Sequence, residues 1–255
     1  MEGAMRRAGP AAWLLAALLA LAAPPIAGAE SPLVGEVRQW STRYHEDPAR
    51  LDRLRADLVE AVKASGASAD ELVALAHVCF IWGDVRARTA EQKLLAYGQG
   101  REAARRAITL APRSVLAHFW YGTNTGRWGQ TKGVVRSLFL LPSVRQEIDT
   151  VLALDPRFPP VYSLAGYVYS EVPVMLGGDL ERAERMFRAG LALEPAFTGM
   201  RVGLAKTLVK QGRVPEARRE LDAVLAEKAP ANPADWALKD SVEAHALLEA
   251  LRDRS

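Results

Sequence analysis

Apolar residues along most of this chain recur three and four positions apart, and no segment alternates with the period of a strand, so the pattern predicts an all-α protein. The first strong stripe is Leu51, Leu54, Leu58, Val59 and Val62. It opens at Asp47-Pro48, an acidic cap followed by the residue best suited to a first helical turn, and it stops at Ser65-Gly66. A lead-in over residues 30–47 holds at most one helix, around Glu36 to Tyr44. The next helix begins at Ser68-Ala-Asp-Glu71, where hydroxyl and carboxylate can each satisfy the other's free backbone donor, and runs to about Trp82-Gly83. Arg86 to Thr109 contains no proline and reads as one long helix, although Gly98 and Gly100 each weaken a helix interior by ~1 kcal/mol against alanine.

Further along, Ser114 caps a helix to about Arg127, an insertion spans Trp128 to Ser143, and a helix follows from Val144 to Leu154. Pro160 to Glu171 and Asp179 to Leu193 form another pair around an insertion at Val172 to Gly178. Thr198 to Gln211 and Pro215 to Glu227 form a last pair. Asn232-Pro-Ala-Asp235 then starts one amphipathic helix, Trp236 to Leu251, expected to cover the last open face.

Three of these pairs close on the same phrase: Leu110-Ala111-Pro112, Leu154-Asp155-Pro156 and Leu193-Glu194-Pro195. With Pro230 the closing prolines give intervals of 44 (112 to 156), 39 (156 to 195) and 35 (195 to 230). A repeat of roughly 34 residues with short insertions between its two helices accounts for them. The units are 68–112, 115–156, 160–195 and 198–230, with a cap at 232–252, inside a repeat domain of 48–255.

In this spacing the chain resembles the tetratricopeptide repeat family, which implies a right-handed solenoid of antiparallel helix pairs, each closed by small residues that meet at a seam. The matching positions are Gly122 with Val144, Gly166 with Ala183, and Ala205 with Ala217. A narrower set of motifs, Ala117-His118-Phe-Trp-Tyr-Gly122, Leu154-Asp-Pro156, Gly177-Gly-Asp179 and Asp235-Trp236, is similar to exported bacterial proteins grouped with the T-component of tripartite periplasmic transporters. It is more distantly similar to the regulator of microtubule dynamics proteins. The T-component resemblance implies binding to a periplasmic substrate-binding subunit, with oligomerisation and a lipid anchor common in the group.

Composition adds compartment. Arg6-Arg7, the apolar run Ala11 to Ala23 and the small residues Ala27-Gly28-Ala29 read as a signal peptide over 1–29, cleaved before Glu30. The run falls short of the ~20 residues that span a bilayer, and Pro24-Pro25 ends it. A periplasmic or secreted location follows as an expectation. The formal net charge of +3 drops further with the leader, too small for a nucleic-acid binder. The single cysteine, Cys79, lies among Val78, Phe80 and Ile81 and reads as a small buried hydrophobe. It forms no internal disulfide and lies too far along the chain to be the anchoring cysteine of a lipoprotein.

Catalytic chemistry is not evident. His45, His77, His118 and His245 lack ligand spacing, so neither a metal nor a cofactor is expected. Gly126 to Gly133 lacks the order of a phosphate loop. His118 reads as a hydrogen-bonded packing residue. Binding is the expected job, on the concave face lined by the first helix of each pair. That face carries His77 and Phe80; Phe119, Thr123 and Arg127; Ser163, Tyr167 and Glu171; and Lys206 and Lys210. Aromatic plates with cations suit another periplasmic protein, an anionic or amphipathic peptide, or a small carboxylate. The alternative is a carrier that closes around an apolar ligand with Phe119, Trp128, Phe139 and Tyr167. The run Leu138-Phe-Leu-Leu-Pro142 is expected to tuck under the solenoid, with a contact between subunits of an oligomer as the other possibility.

Overall fold

A computed structural model describes residues 31–63 and 66–252, and the expected signal peptide lies outside them. The described residues are helical throughout, without strands. Two short lead-in helices, α1 (Pro32–Trp40) and α2 (Pro48–Ala61), precede four antiparallel pairs. These are α3 (Ala69–Val85) with α4 (Ala90–Leu110), α5 (Val115–Lys132) with α6 (Val134–Leu154), α7 (Pro159–Glu171) with α8 (Leu180–Leu193), and α9 (Thr198–Lys210) with α10 (Val214–Ala226). The first helices of the first two pairs lie side by side, α3 by α5, as do those of the last two, α7 by α9, and α6 packs on α7 between them. The stacked pairs form the tetratricopeptide solenoid.

Side-chain caps set half of the helix starts. Asp47 accepts from the backbone of Ala49 and Arg50, Ser68 and Glu71 complete their reciprocal box, Asp179 accepts from Arg182, and Asn232 from Asp235. Other boundaries shift. Helix α1 begins at Pro32 rather than Glu36, since Pro32 occupies its first turn. Helix α3 continues to Val85, and α4 starts at Ala90 rather than Arg86, because Thr89 and Gln92 form a second reciprocal cap.

The largest correction concerns 128–143, which is helix and not loop. Helix α5 runs on to Lys132, Gly133 turns the chain with φ +108°, and α6 starts at once, carrying Pro142 inside it. Pro142 removes one backbone hydrogen bond. Burial of Val144, Ile148 and Val151 on the same helix outweighs that loss. A close approach also fixes the start of α6: a Cβ on Gly129 would stand 3.2 Å from the Ser137 Cα.

Small residues let the helices close. A Cβ on Gly166 would lie 2.6 Å from the Phe187 ring, and one on Gly203 would meet the same ring at 2.6 Å. Phe187 therefore fills the space left by two glycines, one on each neighbouring first helix. Ala205 and Ala217 are both fully buried. At Gly122 the facing residue is Glu147, 3.0 Å from a built Cβ; Val144 instead approaches Gly126. Gly100, a liability in the pattern, sits where a Cβ would be 2.5 Å from the Asn124 Oδ1, so its absence of side chain lets α4 reach α5.

The last segment is broken into α11 (Pro233–Asp235), a π-helical stretch Trp236–Asp240, and α12 (Ser241–Ala250), where one regular helix was expected. Ser241 N–H donates to Trp236 O, five residues back, in the wider ring of a π turn. That stretch packs on α9, and α12 on α10.

Candidate interaction surface

The first helices carry the row of residues the sequence assigned to the concave face, and each has a definite surrounding. His77 stacks on Trp120 with ring centroids 4.0 Å apart and planes 19° apart. Phe80 tilts onto the same Trp120 at 5.4 Å, and Phe119 meets it edge-on at 4.8 Å. Phe119 also meets Phe158 at 5.1 Å, so the aromatic row is one packed cluster that joins successive pairs. Burial lowers the His77 imidazole to about 3, which keeps the ring neutral. His118, next to this cluster, is buried with Nδ1 2.6 Å from Glu147 and Nε2 3.0 Å from Pro112 O. Both partners are internal to the second pair and its preceding turn, as a packing residue requires.

The cations have partners too. Arg127 Nε donates to Asp84 at 3.0 Å, and the Tyr97 hydroxyl donates to the same carboxylate at 2.6 Å. Lys206 Nζ donates to Glu243 at 2.9 Å and stands 5.9 Å over the Tyr167 ring. Lys210 Nζ donates to Glu171 and to Ser170 O, both at 2.8 Å. The Tyr167 hydroxyl donates to Gly199 O at 3.0 Å while its ring packs edge-on against Phe187. Burial, with the carboxylates of Glu243, Asp240 and Glu171, raises that phenol well above its usual range. Thr123 is buried with its hydroxyl unpartnered, and Ser163 is half-buried on α7.

What the sequence pattern did not show is that both ends of the described chain come to this face. Ala234 N–H donates to Thr42 O at 3.0 Å, and the buried Tyr44 hydroxyl donates to Asp235 at 2.5 Å. Lys239 pairs with Asp235 and lies 3.8 Å from Asp84. Thr198 Oγ1 donates to Asp240 at 2.7 Å, in a buried contact between α9 and the π stretch. Residues 42–44 and 231–243 thus occupy ground next to Asp84, Arg127, Tyr167 and Lys206. Sequence reasoning missed Tyr44, Thr198, Asp235, Lys239 and Asp240. The one available signal was the acidic spacing Asp235, Asp240, Glu243 on a helix otherwise read as a cap.

The four residues of the carrier alternative do not converge. Phe119 is in the aromatic cluster, Tyr167 is against Phe187, Trp128 lies beneath Arg101 and Lys132, and Phe139 is 75% exposed. Within the run at 138–142, Phe139 and Pro142 face solvent, while Leu138, Leu140 and Leu141 are half-buried and Leu140 lies against Gly129. Two surface hollows lie elsewhere. One, of about 420 Å³, is lined by apolar residues of α2, α3 and α4 such as Val59, Leu75 and Leu94. The other, of about 370 Å³, lies at the start of α4 beside Arg88, Lys93 and Arg127. Among the described residues no cluster of His, Cys, Asp and Glu could hold a metal, and no helix is long and apolar enough to cross a membrane.

Known proteins show the same architecture. Residues 36–175 match the family described as regulator of microtubule dynamics protein 1-3, over more than half of the sequence. The chain belongs to this family. In this family member residues 175–251 also match a tetratricopeptide repeat model, so the matched regions together run from within α1 through α12. No curated protein matches the sequence. Among solved structures it is similar to a thermophilic tetratricopeptide protein of Thermus thermophilus, with a TM-score of 0.61 and 18% identity over 82% of this chain and 98% of that one. It is also similar to PilF of Pseudomonas aeruginosa, with a TM-score of 0.51 and 17% identity over 88% of this chain and 93% of that one. At such identities the likeness is one of fold.

Proposed function

We propose that the protein is a non-enzymatic interaction scaffold that binds another protein, and that it works outside the cytoplasm as an accessory subunit of a tripartite transporter. The observation that carries the scaffold reading is the stack of four helix pairs, an architecture whose repeats present long continuous surfaces to partners. The signal-peptide pattern at residues 1–29 supports the compartment, and the motifs around His118, Pro156 and Asp179 support the transporter role. The family description, a regulator of microtubule dynamics, likewise names action on a protein assembly rather than on a small substrate. Internal pairing of Lys206 and Lys210 narrows how a guest could use the concave face: an acidic partner segment would have to displace Glu243 and Glu171 from the two lysines.

The test is capture of partners from envelope extract of the native host. A single chain that co-purifies with the wild type, and is lost with Lys206→Glu plus Lys210→Glu, supports the reading. Capture that is unchanged removes the concave face as the contact. An extra small mass in the native mass spectrum, with no co-purifying chain, favours the carrier instead.

A further inference from the structure

Helix α6 turns a cluster of apolar residues outward, where the exposed apolar residues of the other helices, such as Leu95 and Val242, are spread over separate elements. Val134, Val135 and Phe139 are 74%, 71% and 75% exposed. Val135 and Phe139 are one turn apart, with Leu138 and the exposed Pro142 on the same side. The opposite side of α6 is already satisfied, by Gly129 of α5 against Ser137 and Leu140 and by Val144 and Ile148 in the core. The turn at 174–176 adds Val174 and Met175, 79% and 90% exposed. Arg145 Nη2 donates to Gly177 O at 2.6 Å, so the turn is fastened to α6 and both apolar groups belong to one edge.

Along the α5–α6 part of this edge the charge has one sign, whereas exposed Asp179 and Glu181 follow the turn at 174–176. Between Glu102 and Glu147 the sequence contains no Asp or Glu at all, while its Arg and Lys continue. Lys132 and Arg136 are exposed on either side of the turn into α6, and neither has a carboxylate partner among the described residues. Trp128 lies beneath Lys132, whose Nζ is 5.5 Å from the ring. We propose that this edge is a docking surface for an anionic lipid bilayer. Val134, Val135, Phe139 and Met175 would enter the boundary between headgroups and acyl chains, and Lys132 and Arg136 would face the anionic headgroups. The ridge is short, so attachment is shallow and reversible. Two-fold pairing through the start of α6 would instead set Lys132 and Arg136 against their own copies. This inference stands apart from the scaffold reading, since it uses a different face.

The test is flotation of the full chain with phosphatidylcholine vesicles, with and without phosphatidylglycerol. Phe139→Asp with Met175→Asp, and Lys132→Glu with Arg136→Glu, are compared with the wild type. Residues 1–30 are common to all three proteins, so the differences report the edge. The expected result is preferential flotation of the wild type with anionic vesicles, a loss of about tenfold or more in each double variant, and weakening as salt is raised. A blue shift of tryptophan emission should accompany binding. Equal flotation of wild type and variants, or none by the wild type, overturns the proposal. So does a wild-type dimer that ignores vesicles and becomes a monomer with Phe139→Asp, which would make the edge a subunit contact.

Discussion

The concave face and the α6 edge contain similar residue types but differ in what those residues touch. On the concave face the rings of His77, Phe80 and Phe119 all reach Trp120, Arg127 has Asp84, and Lys206 and Lys210 have Glu243 and Glu171. On the edge, Val134, Val135, Phe139 and Met175 stand in solvent, with Lys132 and Arg136 beside them. An aromatic or a cation on a repeat's inner surface does not by itself mark a binding site. Its unspent interactions do, and by that measure the edge has more to offer a partner than the trough.

The comparison fails if the trough's interior is not the tightly filled region described, and Phe187 is its most sensitive point. It is fully buried between Gly166 and Gly203, and it holds the Tyr167 ring. Phe187→Ala should cost roughly 3–5 kcal/mol in urea unfolding. Gly166→Ala, which adds a methyl into the same ring, should cost ~1–3 kcal/mol. A loss below ~1 kcal/mol for Phe187→Ala would show a loosely packed trough.

Asp84 tests whether the chain ends are truly fastened there. Its nearly buried carboxylate gathers Tyr97, Arg127 and Lys239 from α4, α5 and the π stretch. Asp84→Ala would leave Tyr97 and Arg127 without this acceptor, while Lys239 keeps Asp235, and should cost about 1–3 kcal/mol, less than a fully enclosed pair would because Arg127 is partly in water. Hydrogen exchange should locate the effect, with faster exchange at 233–240 and no change in α8. Uniform exchange across the molecule would mean that the ends are not a separate latch.

Acid should tighten the same closure. Burial, helped by the negative charges of Asp235 and Glu243, pushes the Asp240 carboxyl up to about 6, against the opposing hydrogen bond from Thr198 and the charge of Lys239. Because this acid is raised on folding, the native state holds the proton more firmly than the unfolded chain. Its contribution therefore favours folding at low pH and is lost as pH rises from about 4 through 6. Asp240→Asn should abolish that slope and raise stability by ~1 kcal/mol at pH near 8, with little change near pH 4. Thermal melts of both proteins at the two pH values check this. A difference between them that does not vary with pH would remove Asp240 as the titrating group.

These features were unequally legible in the sequence. Asp47, Ser68, Asp179 and Asn232 announced helix starts because a cap acts on backbone two or three residues away. The solenoid was legible because its repeat is periodic. The insertion at 128–143 misled because Pro142 and Gly133 both resemble breaks, yet only Gly133, at positive φ, ends a helix; Pro142 is carried by the packing of its own helix. The residues expected on the inner face do lie on α3, α5, α7 and α9, but their partners were not legible. Tyr44 and Asp235 are 191 positions apart, and Thr198 and Asp240 are 42 apart. No local period relates such positions, so the contacts that residues 42–44 and 234–240 make with each other and with α3 and α9 appear only in three dimensions.

The smallest effect is the most discriminating for the edge. Phe139→Asp removes a large apolar side chain that is 75% exposed and touches little of the core. It should change stability by no more than ~0.5 kcal/mol, although the same substitution at Phe187 would unfold the chain. Thermal melting read against the wild type is sufficient. If Phe139→Asp costs about 2 kcal/mol or more, roughly the value of burying such a side chain, then the ring is covered in solution and the edge belongs with the trough. If the melt is unchanged, the exposed ring contributes nothing to the fold, and any loss of vesicle flotation in the variant can be assigned to the surface rather than to unfolding.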